Sequence, residues 1–378
     1  MPVINIELED LNRMLKSPIS SADFSRIIPE IGAEPDEIRK NEATIEFFPN
    51  RPDLLSTEGV ARAVRAFTEQ KLGLVVYDTK PASTHMVVSP DVLKIRPFVL
   101  GGIARGVKLD DTSIKSLMEL QEKLHVTLGR KRKKVSIGTH DLSKLKAPFN
   151  YGTCSPHEPA FVPLQKDYEM TPEEILNEHP KGMEYAHLLE DFKKYPIITD
   201  TNGEVVSLPP IINGALTTIT KKTKEILIDV TGLEQEAVEA CLNIVAAALV
   251  ERGGEIEQLE IRYPSEKIIV PRMEPKIHKI KNDYLVSLLG FDPGNFAIFK
   301  AFRKCAMEPD LKDDIWHVKV PAYRADILHP IDLLEEVAIG IGYEEIPEHL
   351  PQGARFGEGL KSRTLERKCR ETMLGVGF

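Results

Sequence analysis

A multidomain α+β fold is what this 378-residue sequence predicts, on three grounds. The chain exceeds what one hydrophobic core usually organises, so two to four domains are expected. Strand and helix signals alternate along it instead of merging into one long bundle. Its composition, 42% hydrophobic and 28% charged, is that of ordinary globular domains. The divisions read as a small N-terminal α+β domain over 1–90, a larger α+β domain over 91–265, a small helix-containing domain over 270–347, and a last segment over 355–378.

The first domain carries Asn50-Arg51-Pro52-Asp53 ahead of a helix starting near Ser56 or Thr57. Val60, Val64 and Phe67 recur there at i, i+4 and i+7 and make one apolar face. The second domain opens near Ile95-Arg96-Pro97. Its first long helix has Thr112 or Ser113 as cap, an apolar stripe of Ile114, Leu117, Leu124 and Leu128, and Gly129 as stop. The basic run Arg130-Lys131-Arg132-Lys133-Lys134 leads into a strand over 135–137. Thr171-Pro172-Glu173-Glu174 sets cap, N1 proline and N3 acid where a helix start needs them. Strands over 205–208 and 226–230 flank a loop. A long helix then carries Val238, Leu242, Val245 and Leu249 to Gly253-Gly254, and a strand over 256–263 closes the domain. The stretch 264–275, with three prolines among charged residues, reads as a linker. A basic helix over 361–370 and the apolar Gly375-Val376-Gly377-Phe378 predict that a further domain follows.

The net charge of −9 argues against a protein that coats nucleic acid non-specifically, while leaving room for a local basic patch. Cys154, Cys241, Cys305 and Cys369 lie far apart with no CxxC pair, which predicts reduced thiols in a cytoplasmic protein. No apolar run reaches the ~20 residues that span a bilayer, and the acidic start lacks a signal peptide's layout.

Three groups of residues suggest chemistry. With a helix from Pro330 or Ile331, Asp332, Glu335 and Glu336 fall at i, i+3 and i+4 on one face, with Asp326 just upstream. Such clustered carboxylates suit Mg²⁺, although acids at a helix N-terminus also simply complement its dipole. Asp229 and Thr231 point to one face of their strand. With Ser207 from a neighbouring strand they line a polar pocket, or one of them caps the helix beginning near Glu234. No GxSxG elbow or nearby histidine supports a serine nucleophile, so hydrolysis there calls for a positioned water. Arg130, Arg132 and Lys133 could meet RNA phosphates, or the run is a solvated loop. Gly138-Thr139-His140-Asp141 sets a histidine beside an acid, a weak sign of catalysis. P-loop, GxGxxG, HExxH, HIGH and KMSKS signatures are absent, so no ATP site is expected in this chain.

Taken together, several segments resemble the β subunit of phenylalanyl-tRNA synthetase, archaeal and eukaryotic type. They are Asn50-Arg51-Pro52-Asp53-Leu54 with Glu58-Gly59-Val60, Leu120-Gln121-Glu122-Lys123-Leu124, Ile137-Gly138-Thr139-His140-Asp141-Leu142, Leu208-Pro209-Pro210-Ile211-Ile212-Asn213, Asp229-Val230-Thr231-Gly232, and Arg324-Ala325-Asp326-Ile327 through Gly342-Tyr343, in the family's order over nearly the whole chain.

The resemblance implies an (αβ)₂ heterotetramer in which the α subunit charges tRNA with phenylalanine, using ATP, while the β subunit contacts that tRNA. It implies an editing site in the second domain that hydrolyses mischarged tyrosyl-tRNA, because a pocket for phenylalanine cannot strongly reject an added hydroxyl. By motif match, Ser207, Asp229 and Thr231 supply its polar contacts, Ile198 its apolar wall, and Asn213 a looser contact. Asp326, Asp332, Glu335 and Glu336 match the family's magnesium positions at the contact with the α subunit. The segment from 355 matches the start of a catalytic-like domain. The oligonucleotide-fold insertion and C-terminal anticodon module of bacterial relatives are missing, and this chain alone is not expected to charge tRNA. The alternatives are a non-catalytic tRNA-binding and assembly scaffold, or a stand-alone metal hydrolase built on the acidic cluster.

Overall fold

The computed structural model describes residues 2–39, 41–348 and 357–378. Residues up to Glu345 form one compact unit, and the segment from Ile346 forms a second.

At the N-terminus, strands Val3–Glu7, Glu42–Phe47 and Ala33–Ile38 make an antiparallel sheet with Glu42–Phe47 in the middle. Ile4, Ile6, Ile45 and Phe47 alternate inward from it, as period-2 strands require. The helix Thr57–Phe67 starts as expected, with Ser56 Oγ accepting from the Gly59 N–H, and its Val60, Val64 and Phe67 are buried.

The middle of the chain builds an eleven-stranded sheet. Its main path runs Ile212–Asn213, Val205–Leu208, Tyr195–Thr199, Phe149–Cys154, His85–Val88, Glu255–Arg262, Phe98–Arg105, Glu225–Gly232, Val135–Asp141. The apolar helix Gln235–Glu251 packs on the last four of these strands, burying Val238, Leu242, Val245 and Leu249. The sheet bends so far that its two ends meet: Arg132, just before Val135–Asp141, donates to the Ile211 carbonyl beside Ile212–Asn213 at 2.8 Å. That closure makes the cavity described below.

Strands Lys276–Lys281, Ile315–Val320 and Glu308–Lys312 form a third sheet, covered by helices Asn282–Leu289, Asn295–Lys304 and Pro330–Ile341 around Phe302, Trp316 and Val337. The second unit contains the helix Lys361–Gly375. The expected last segment began at 355, and 355–356 lie outside the described residues.

Several expectations need correction. Strands Thr79–Lys80 and His85–Val88 pair with Glu255–Arg262, so the end of the 1–90 domain belongs to the middle sheet. The stretch 264–275 is more than a linker: Lys267–Val270 pairs back onto Glu255–Arg262. Its prolines at 264, 271 and 275 flank the strand instead of removing one of its ladder donors. The helix Asp111–Val126 is capped by Asp110, whose carboxylate takes the Ser113 N–H at 2.8 Å while the Ser113 hydroxyl closes the box. The Thr171–Glu174 capping box forms as read from the sequence.

A buried ion network joins the first and third domains. Arg51 donates to both oxygens of Asp53 at 2.9 and 3.0 Å, Arg62 approaches Asp53 at 3.8 Å, and Arg51 reaches Glu336 at 3.9 Å. The Arg62 guanidinium also lies 3.7 Å from the Tyr323 ring centroid. Burial alone would raise the Asp53 carboxyl, but Arg51 outweighs it and holds the group below its ordinary value of 3.8. A carboxyl depressed in the folded state contributes stability that is complete above its unfolded pKa and lost as pH falls through the folded one. The urea midpoint is therefore expected to drop as pH is lowered below 3.8, and Asp53→Asn is expected to flatten that dependence.

Candidate functional site

The facing ends of the bent sheet and the helix Asp111–Val126 enclose a cavity of about 540 Å³. Ser207, Asn213 and Asp229 line it, with apolar walls from Ile114, Met118, Ile211 and Ile212. Ser207 and Asp229 do not sit on neighbouring strands as expected. Five strands of the main path separate theirs, and the bend brings the two side chains to one space.

Asp229 is anchored from behind. Its Oδ2 accepts from His140 Nε2 at 2.6 Å, and His140 Nδ1 pairs with Thr217 Oγ1 at 2.8 Å. His140 is fully buried and Asp229 is 2% exposed. With Oδ2 engaged, Oδ1 remains to accept from a ligand hydroxyl or ammonium. Neither Asp229 nor Thr231 caps the following helix, whose N-cap is Glu234. The histidine–acid pair is therefore His140 with Asp229, not with its sequence neighbour Asp141, which accepts from Ser143 and Thr223. The sequence signal was present in Gly138-Thr139-His140-Asp141, but the partner lay on another strand.

Gly138 makes this dyad possible. It lies directly opposite Asp229 in the ladder, and a Cβ there would fall 2.1 Å from Asp229 Oδ2 and 2.5 Å from His140 Nε2. Gly138→Ala should displace the carboxylate, cost about 1–3 kcal/mol in stability, and remove most of whatever activity depends on Asp229. A variant with wild-type urea midpoint and turnover would contradict this geometry.

Thr231 does not line the cavity. Its Oγ1 accepts from Arg96 Nε at 2.8 Å and pairs with Ser136 Oγ at 2.9 Å, and its carbonyl accepts from Arg96 Nη2 at 2.8 Å. Arg96 also holds the carbonyls of Arg132 and Lys133 at 3.2 Å, and burial pushes its guanidinium down to about 10. Thr231 thus supports the wall from outside. Ile198 is fully buried between Tyr151 and Ser207 in the sheet, also behind the lining.

The basic run divides. Arg130 and Lys133 are exposed, whereas Arg132 turns inward and lines the cavity. Its guanidinium bonds Glu122 at 2.5 Å and the Ile211 carbonyl, and stacks 4.5 Å above the Tyr185 ring. Two side chains lining the cavity carry a buried polar atom without a hydrogen-bond partner, Ser207 Oγ and Arg132 Nε, while His125 Nδ1 faces the Glu122 carboxylate at 3.5 Å. Each such atom costs roughly 1–3 kcal/mol unless a ligand or water satisfies it. Ser207 Oγ has no histidine partner, so no serine–histidine nucleophile is assembled.

The acidic quartet is arranged differently from a metal cage. Arg324 donates to Asp326 at 2.8 and 2.6 Å and to Glu336 at 3.0 and 2.6 Å, which fills the space between those two carboxylates with a guanidinium. Asp332 caps the helix Pro330–Ile341, accepting from the Leu328 and His329 N–H groups at 2.7 Å. Glu335 is exposed, and partial burial and the neighbouring acids raise its carboxyl. Among the described residues no three His, Cys, Asp or Glu side chains converge to hold a metal. As placed, these residues do not fit a magnesium ion.

Comparison with known proteins agrees along the chain. Residues 1–70 match a model of the Phe-tRNA synthetase beta subunit B1 domain, 104–262 a B3/4 domain and 278–343 a tRNA synthetase B5 domain. The phenylalanine–tRNA ligase beta subunit of Methanosarcina barkeri is 45% identical over 383 residues, covering 100% of this chain and 69% of that protein. The protein of that name from Archaeoglobus fulgidus is 39% identical over 378 residues, covering 100% and 68%. A crystal structure of an N-terminal fragment of the phenylalanyl-tRNA synthetase beta subunit from Pyrococcus horikoshii superposes with a TM-score of 0.87 at 35% identity, covering 90% of this chain and 99% of that one. On this similarity, end to end and in three successive domains, the chain belongs to the phenylalanine–tRNA ligase β-subunit family.

Proposed function

We propose that the chain works as the β subunit of a cytoplasmic phenylalanine–tRNA ligase and that its central cavity hydrolyses tyrosine wrongly attached to the phenylalanine tRNA. The observation that carries this reading is a largely apolar cavity holding an anchored carboxylate, Asp229, and an unpartnered hydroxyl, Ser207. The apolar walls suit an aromatic ring. Asp229 Oδ1 accepts the phenol O–H of tyrosine, and phenylalanine leaves that acceptor unpaired at a cost of roughly 1–3 kcal/mol. With no nucleophile assembled, a positioned water attacks the ester carbonyl and the C–O bond to the tRNA ribose breaks. The ribose oxygen takes one water proton, the other goes to solvent, and the amino acid leaves as its carboxylate. His140 keeps Asp229 aimed, and Arg96 with Thr231 holds the wall behind it.

Phenylalanine activation with ATP belongs to the α subunit of an (αβ)₂ assembly. Any magnesium at the subunit contact would need ligands or a rearrangement beyond what the quartet around Arg324 offers. The test is deacylation by the purified chain: tyrosyl-tRNA should be cleaved faster than phenylalanyl-tRNA, and equal slow loss of both would refute the reading. Exposed Arg130, Lys131 and Lys133 favour a second reading, a tRNA-binding scaffold, which predicts salt-sensitive tRNA binding without deacylation.

A further inference from the structure

We propose that Ser136 is a further catalytic residue of the ester hydrolysis. Its hydroxyl, at the end of a directed hydrogen-bond chain from Arg96 through Thr231, donates to the ester carbonyl oxygen as negative charge develops there. This role rests on the editing reading and names the group that stabilises its transition state.

Counting protons sets the direction of the chain. Arg96 Nε can only donate, and it donates to Thr231 Oγ1 at 2.8 Å. Thr231 is fully buried, and the one acceptor for its own hydroxyl proton among the described residues is Ser136 Oγ at 2.9 Å. The reverse order, with Ser136 donating to Thr231, would leave the Thr231 proton buried and without a partner. Thr231 therefore donates to Ser136. The Ser136 proton is left for whatever enters the cavity, which Ser136 lines. Among the described residues Arg96 pairs with no carboxylate, and its other bonds go to the carbonyls of Thr231, Arg132 and Lys133. Its charge is thus not quenched by an ion pair. A buried cation at the head of the row polarises each hydroxyl toward the next and makes Ser136 a stronger donor than a lone serine.

Strand register places this donor where the ester lies. Gly138 is opposite Asp229 and Ser136 is opposite Thr231, so Ser136 stands diagonally from Asp229 on the same face, about 7–8 Å away. That spacing is comparable with the reach of a tyrosine from its phenol oxygen to its ester carbonyl. A substrate whose phenol meets Asp229 Oδ1 then presents its ester beside Ser136. Ser136 does not act as a nucleophile, because Thr231 already donates to it and no base stands by to take its proton. When water adds to the carbonyl carbon, an electron pair moves onto the carbonyl oxygen, and the Ser136 O–H holds it there. The pair returns as the C–O bond to the ribose breaks. The ribose oxygen takes one water proton, the other goes to solvent, and Ser136 keeps its own proton throughout. Tyrosyl and phenylalanyl esters form the same oxyanion, so Ser136 acts on rate while Asp229 acts on preference.

Steady-state deacylation of tyrosyl-tRNA and phenylalanyl-tRNA tests this. Ser136→Ala should lower kcat on both esters by about 100-fold, leave KM within about twofold and keep the tyrosyl preference. Ser136→Thr retains a hydroxyl at that place and should recover most of the rate. Thr231→Val keeps the shape and removes the link, so it should lower kcat in the same way. The double variant should be no slower than Ser136→Ala alone, because two parts of one chain do not add. Ser136→Ala strands the Thr231 proton, so rates are compared at a temperature where circular dichroism shows each variant folded. Ser136→Ala and Ser136→Thr decide the matter even where Thr231→Val folds poorly. Full rate in Ser136→Ala, a loss carried by KM, a loss confined to one ester, or additive losses in the double variant would each overturn the role of Ser136. A wild-type chain that deacylates neither ester overturns the editing reading itself, whereas an active wild type with an unaffected Ser136→Ala overturns the role of Ser136 alone.

Discussion

Asp229→Ala is expected to lower deacylation of tyrosyl-tRNA by about 10- to 100-fold while changing the phenylalanyl rate little. The factor corresponds to roughly 1–3 kcal/mol for the lost acceptor. Alanine does a second thing: it strands His140 Nε2, fully buried, without its 2.6 Å partner. A drop in stability would then accompany the loss of activity and confuse its meaning. Asp229→Asn separates the two effects. The asparagine Oδ1 can still take the His140 proton, which keeps the fold, but the amide NH₂ then faces the ligand and cannot accept the phenol. The expected result is a wild-type urea midpoint with the tyrosyl preference gone. Asparagine and alanine variants that both keep full preference would show that Asp229 does not read the hydroxyl.

The second large effect is structural. Arg324→Met should cost about 3–5 kcal/mol, because it leaves Asp326 and Glu336 as carboxylates without their shared cation in a largely buried site. The same change loosens the joint between the first and third domains, since Glu336 also faces Arg51, and Arg51 holds Asp53. Urea unfolding measures it. Glu335→Gln is the control, expected within about 0.5 kcal/mol because the side chain is exposed and bonded to neither arginine. With the guanidinium seated between Asp326 and Glu336, added magnesium should leave the wild-type midpoint where it is. A clear upward shift with magnesium would show that the quartet opens to take a cation, as the family resemblance leads one to expect.

Much of the local structure was legible from the residues. The Thr171–Glu174 box, the start of the helix at Thr57, the strand Val205–Leu208 and the long apolar helix near Val238 all depend on groups within about four residues of each other, which sequence order fixes. Strand ends were less legible. Val135–Asp141 runs four residues past its expected end because its pairing with Glu225–Gly232 continues to Asp141.

The candidate site was legible by type and not by partner. Asp229 and Ser207 stood out as an acid and a hydroxyl on strands, but that His140 braces the acid depends on a contact across 89 positions of sequence. The inward turn of Arg132 depends on Arg96, 36 positions upstream, and on the bend that brings the Ile211 carbonyl to its guanidinium. Thr231 shares a strand face with Asp229, yet the same Arg96 claims its hydroxyl. The acids near Pro330 have metal-like spacing, and Arg324 claims two of them. The residues and their order thus established the family, the domains' general character and the helix starts, because those rest on neighbours in the chain. Which carboxylate faces a ligand and which only an arginine was settled in three dimensions, where a buried charge must find a counter-charge or donor wherever the fold delivers one.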